Sequence, residues 1–274
     1  MDAAQHITWR VDEAGVGHIV IARDGCGAKA NALGSAQGVQ LAQAIGQAAQ
    51  AARSGSIGAI LIRAAGTHFC AGGDIGEFAQ SGSAFARLAQ DMVDTIHPAM
   101  HTLAGLPLPV ISAVQGALGG AGIALALCAD IVLAADNIKL RGGYSAIGLS
   151  PDLGVSYWLV RRAGSERAKY ILLTNHAIDA AQCLQWGLVD ALHAPDALHA
   201  AAHTLAGELA RGARGALGQV KRLCEAAGHN GLHAHLHYER LALLHCAATA
   251  DAREGIAAFV EKRAPRFAPP PQRP

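Results

Sequence analysis

Twenty consecutive residues without a formal charge, VISAVQGALGGAGIALALCA from Val110 to Ala129, set the tightest limit on how this chain can fold. So long an apolar run either crosses a membrane or lies at the centre of a large core. Its glycines, its single Gln, the preceding LPLP and the lack of flanking Lys, Arg or aromatic anchors weigh against a membrane span. The expected structure is a buried strand ending near Gln115, a glycine turn, and a buried helix starting near Gly120.

A chain of 274 residues, 51% of them hydrophobic, has room for one large domain or for a domain with an appendage. The 22 Lys and Arg nearly balance the 21 Asp and Glu. Nucleic acid and anionic membranes therefore have no electrostatic case as partners, and an anionic ligand must be held by local groups. The six cysteines are widely spaced without a CxxC pair, which fits reduced thiols in a cytoplasm. With no apolar leader at its N-terminus, the chain is expected to be cytoplasmic.

HITWRV and GHIVIARD read as a hairpin about DEAGVG, and Ser35 to Arg53 as a helix. IGAILIRA, PVISAVQG and DIVLAAD read as buried strands. No GxGxxG follows a strand, so a dinucleotide fold lacks support. From about Ala197 helical patterns take over, ending in the Pro-rich APPPQRP. The expected organisation is a core over 1–196, a helical oligomerisation region over 197–264 and a disordered tail over 265–274.

Two stretches could bind an anion through main-chain N–H groups. In FCAGGDIGEF, Asp74 and Glu77 mark a helix start after small residues; GALGGAGIALAL turns from strand to helix through glycines. Either alone is most simply a turn, but together they could supply two donors to one oxygen. A third stretch raises a different question. From Gly142 to Val160 the only carboxylate is Asp152, in GLSPDLG. In an apolar wall a lone carboxylate suits proton transfer; otherwise Asp152 is an N-cap for the next helix.

KANALG (29–34), FCAGGDI, PVISAVQGALGGAGIALALCADIVLAAD, IGLSPDLG, QWGLVDAL and DAREGIAAFVEKR follow one another in an order that resembles the crotonase (enoyl-CoA hydratase/isomerase) superfamily. The resemblance implies an α/β fold, a spiral of ββα repeats with a C-terminal helical trimerisation region. It also implies acyl-CoA thioester substrates, a homotrimer or dimer of trimers, and no cofactor beyond the coenzyme A of the substrate. By position it places the oxyanion-hole amides on Gly73 and Ala121. Substrate contacts fall on Ala71, Lys29, Phe259 and Lys262, the last two toward the nucleotide of CoA. The two carboxylates of family hydratases are replaced by Ala124 and Tyr144, which are expected to shape the acyl pocket. Asp152 matches the acid/base Asp of double-bond isomerases and the nucleophilic Asp of an aromatic dehalogenase.

The resemblance thus implies an enoyl-CoA isomerase with Asp152 as acid/base. Hydration of a 2-enoyl-CoA, displacement through Asp152, and a non-catalytic acyl-CoA binding subunit stay open. His97 matches a functional His of the dehalogenase, but HPAMH also reads as a helix start with Pro98 in first position. No metal is expected: His97/His101 and His233/His237 have helical i, i+4 spacing without a HExxH glutamate or a third ligand.

Overall fold

The computed structural model describes residues 5–23 and 30–267. The expected hairpin forms: β1 (Ile7–Val11) pairs antiparallel with β2 (Val16–Ile21). After α1 (Ser35–Ser54), β3 (Ala59–Ala64) adds parallel to β2. Then come α2 (Ile75–Ser81) and α3 (Phe85–Ala104). The long uncharged run divides into β4 (Val110–Val114), β5 (Ala117–Gly119) and α4 (Ala121–Leu127). Next are β6 (Ile131–Ala135), β7 (Lys139–Arg141), α5 (Val155–Ala163) and α6 (Ser165–Thr174). β8 (Ile178–Asp179), α7 (Ala180–Gln185) and β9 (Ala191–His193) close the strand region. Four helices follow: α8 (Leu198–Ala210), α9 (Arg214–Ala227), α10 (Leu232–Ala247) and α11 (Ala250–Val260).

The repeats wind as a spiral because successive turns give one strand to each of two sheets. β4 and β6 join the six-stranded sheet β1-β2-β3-β4-β6-β9, while β5 and β7 join the three-stranded sheet β5-β7-β8. All pairs of the large sheet after the first are parallel, and its central strands are buried on both faces, as parallel sheets require. One face packs against α1, α3 and α4; the other meets α8 through Leu198, Ala202, Ala206 and Ala210. The composition change near Ala197 therefore marks the switch to helices, while α8 itself is still a layer of the core.

Every residue of α4 is buried, which accounts for the missing charges. Among the described residues no helix is long and apolar enough to cross a membrane. Pro98 is not at a helix start. It lies inside the 20-residue α3, where burial of Ile96, Met100 and Leu103 outweighs the hydrogen bond a proline cannot donate. α10 and α11 leave Leu232, Leu236, Leu243, Ile256, Phe259 and Val260 exposed.

Candidate active site

A cavity of about 390 Å³ opens where the two glycine-rich stretches meet. Segments 70–73 and 119–122 press main chain against main chain: Gly119 N–H donates to Cys70 O at 2.9 Å. A Cβ on Gly122 would lie 2.3 Å from Cys70 O, so no side chain fits there. Gly120 has φ of 46°, the left-handed region that glycine tolerates.

The expected helix start at Asp74 is present. Its Oδ1 accepts from the N–H groups of Gly76 and Glu77, and its carboxylate pairs with Arg23 at 2.7 Å. These contacts occupy the first amides of α2, so that helix end does not offer them to an anion. The Gly73 N–H, one residue earlier, escapes the cap. Among the described residues neither it nor the Ala121 N–H has an acceptor, and both residues line the cavity. Glu77 is turned away, accepting from the amide and hydroxyl of Ser35.

The other part of the lining comes from 143–153. Gly143 N–H donates to Asn175 Oδ1 at 2.7 Å, and a 3-10 turn over Ser145–Ile147 follows. Tyr144 and Asp152 then meet: the phenol donates a short hydrogen bond to Asp152 Oδ1. Burial, reinforced by that carboxylate, pushes the Tyr144 hydroxyl above the ordinary tyrosine range, so it remains a donor. Asp152 does not cap α5, whose N-cap is Gly154. It is the only carboxylate among the described lining residues, but it is not unpartnered, as the sequence suggested.

The turn after Asp152 is held from outside. Leu153 is left-handed (φ 52°), and its N–H donates to His97 Nε2 at 3.2 Å. His97 is exposed on α3 and does not line the cavity. A second hollow of about 470 Å³ begins beyond Leu153 and has His97, His101, Tyr157 and Trp158 in its wall.

Ala71, Gly73, Ala121, Tyr144 and Asp152 are thus brought to one cavity. Ala124 is not. Fully buried three residues along α4, it belongs to the core, since only the N-terminal end of that helix reaches the cavity. Phe259 is 85% exposed on α11 and Lys262 is exposed just beyond it; neither reaches the cavity within one chain. Lys29 lies outside the described residues. Sequence reasoning missed the apolar half of the lining: Phe78 and Phe85, ring centroids 5.2 Å apart, with Met92, Val93 and Ile96 of α3. Cys70 is buried beside the site, and burial pushes its thiol up to about 11, which keeps it un-ionised and non-nucleophilic.

Chemically, two open amides, one hydrogen-bonded carboxylate and an apolar chamber suit a substrate that develops negative charge on a carbonyl oxygen beside an acidic C–H. Known proteins with the same architecture act on such compounds. A family model for enoyl-CoA hydratase/isomerase matches residues 12–270. A Rhodobacter capsulatus protein described as "Probable enoyl-CoA hydratase" is 36% identical over 86% of this chain and 89% of its own. The 1,2-epoxyphenylacetyl-CoA isomerase of Escherichia coli is 36% identical over 80% of this chain and 84% of its own. In three dimensions, an enoyl-CoA hydratase from Polaromonas sp. JS666 superposes with a TM-score of 0.87 at 30% identity, covering 96% of this chain and 99% of that one. With sequence, fold and chamber in agreement over nearly its whole length, the chain is an enzyme of the enoyl-CoA hydratase/isomerase family, in the crotonase superfamily.

Proposed function

We propose that this enzyme is an acyl-CoA isomerase that shifts a carbon–carbon double bond through an enolate. The observation that carries the reading is the single carboxylate, Asp152, in a lining that is otherwise apolar or main-chain. Water addition in this family calls on two carboxylates, and here Tyr144 and the buried Ala124 stand in their places. A double-bond shift needs one base only. Asp152 takes a proton from the carbon beside the thioester of a 3-enoyl-CoA, and charge moves onto the carbonyl oxygen. The N–H groups of Gly73 and Ala121 stabilise that oxygen, each donor contributing about 10² to 10³ in rate. The same carboxylate returns the proton two carbons along, giving the conjugated 2-enoyl ester.

Tyr144 restrains Oδ1 of Asp152 and leaves Oδ2 for the proton. Ala71 lies at the exposed part of the lining, where the thioester would enter. Lys29 is assigned to the phosphates of CoA, and Phe259 and Lys262 to its nucleotide end, reached from a neighbouring subunit. The exposed apolar residues of α10 and α11 support assembly into a homotrimer or dimer of trimers. No group beyond the substrate's own coenzyme A enters the scheme.

The test follows absorbance of the conjugated thioester with a 3-enoyl-CoA and, separately, a 2-enoyl-CoA. A rise from the first that disappears in Asp152→Asn is the expected result. A fall from the second, retained in that variant, would replace this reading with hydration, the activity in the names of several relatives. Tight CoA-ester binding without turnover of either ester would make the chain a binding subunit.

A further inference from the structure

On the face of the large sheet that α8 covers, three side chains from distant parts of the chain converge. Asp12 lies in the turn between β1 and β2, and its Oδ1 accepts from the amides of Ala14 and Val16, each at 3.0 Å. That fixes the carboxylate and leaves Oδ2 facing two imidazoles. His18 Nε2 of β2 stands 2.8 Å from Oδ2, and His203 Nε2 of α8 stands 2.9 Å from it. The three donor atoms lie within 4.8 Å of one another, and the two rings are stacked with centroids 5.8 Å apart. His18 is 1% exposed, whereas the side chain of His203 is 54% exposed.

We propose that Asp12, His18 and His203 form a binding site for a divalent transition metal of the zinc, cobalt or nickel class, separate from the acyl-CoA cavity. Two imidazole nitrogens and one carboxylate oxygen are the ligands such ions prefer, and three protein ligands leave room for water. Water has access from the exposed His203 side. Coordination at about 2.0 to 2.2 Å needs the nitrogens to draw back from Oδ2 by a few tenths of an ångström, which a half-exposed His203 allows. Metal would replace two N–H···O contacts, each ring moving its proton from Nε2 to Nδ1.

The protonation states agree. Burial, followed by the nearby charges of Arg10 and Arg63, depresses His18 below the ordinary histidine value despite the Asp12 contact, so its ring is neutral. Burial alone would raise Asp12, but hydrogen bonds from His18, the Val16 amide and His203 hold it well below the usual carboxylate range. Two features moderate the affinity. Arg10 and Arg63 repel a cation, and His18 Nδ1 is buried without a partner. A missing outer acceptor of that kind weakens metal binding roughly 10- to 100-fold. The bound ion would clamp the first hairpin to α8 across 191 residues of sequence.

The experiment titrates cobalt(II) into untagged, metal-stripped full-length protein, reading visible absorbance and heat. One ion per chain, displaced by zinc and accompanied by a rise in Tm, is expected. His203→Ala, a change on an exposed helix face, should weaken binding at least about tenfold, because an imidazole ligand is lost. Asp12→Asn should do the same without removing bulk. No binding up to millimolar cobalt would overturn the proposal and leave the triad a hydrogen-bonded tie. So would binding of undiminished affinity in both variants, which would put the ion on another set such as His233 and His237. Because the readout is metal binding rather than turnover, failure of the isomerase reading would leave this result untouched.

Discussion

The two parts of the cavity lining are made of different material. One offers main-chain N–H groups, from Gly73 and Ala121, held by segments that touch backbone to backbone. The other offers side chains, Tyr144 and Asp152, on a turn pinned by His97. Main-chain donors are indifferent to side-chain chemistry and intolerant of bulk. Side-chain groups are the reverse, so substitution separates the two.

The largest effect belongs to the side-chain part. Asp152→Asn keeps size and removes the base, and should lower kcat by about 10² to 10⁴. Calorimetry with a CoA ester should show nearly unchanged binding; equal loss of both would mean that Asp152 only holds the turn. On the main-chain part, Gly122→Ala forces a Cβ to 2.3 Å from Cys70 O and should displace the Ala121 amide. The expected loss is about 10² to 10³ in kcat, whereas Ala121→Gly, which keeps the N–H, should cost far less. If the two variants behave alike, the supposed contrast between the parts is wrong.

Tyr144→Phe should cost less than about 10²-fold, since a hydrogen bond to a charged group is worth about 1.5–3 kcal/mol. A tyrosinate titration at 295 nm adds an independent reading. The folded value of Tyr144 lies above the unfolded one, so its stabilising contribution is complete below pH about 10 and is lost as pH rises beyond that. One of the 4 tyrosines should therefore ionise late in the wild type and be missing from the titration of the variant. The smallest effect is expected at His97, which acts through the Leu153 amide. His97→Ala should lower kcat by no more than about tenfold, the worth of one neutral hydrogen bond, with KM nearly constant. Rescue by His97→Gln, which can still accept, would separate positioning from proton transfer.

Much of this was legible in the sequence because the fold repeats one pattern and the site sits at its glycine turns. The strands of the large sheet stand where their apolar runs predict. The small sheet was not visible, because β5, β7 and β8 are two or three residues long and too short for a period to show. Asp152 could be singled out by its isolation among apolar residues, yet isolation in sequence is not isolation in space. Its phenol partner is eight residues away, beyond a turn whose course depends on left-handed glycines and an asparagine from α6's end. Ala124 shows the opposite error: a position matched by counting faces the core, because α4 is buried on every side.

With one oxygen of Asp152 engaged by Tyr144, a single oxygen atom remains for proton traffic. On the isomerase reading, departure and return then occur through the same atom and on the same side of the acyl chain. The migration is suprafacial, and deuterium placed at the first carbon should reappear in part at the third when exchange with bulk water is slower than turnover.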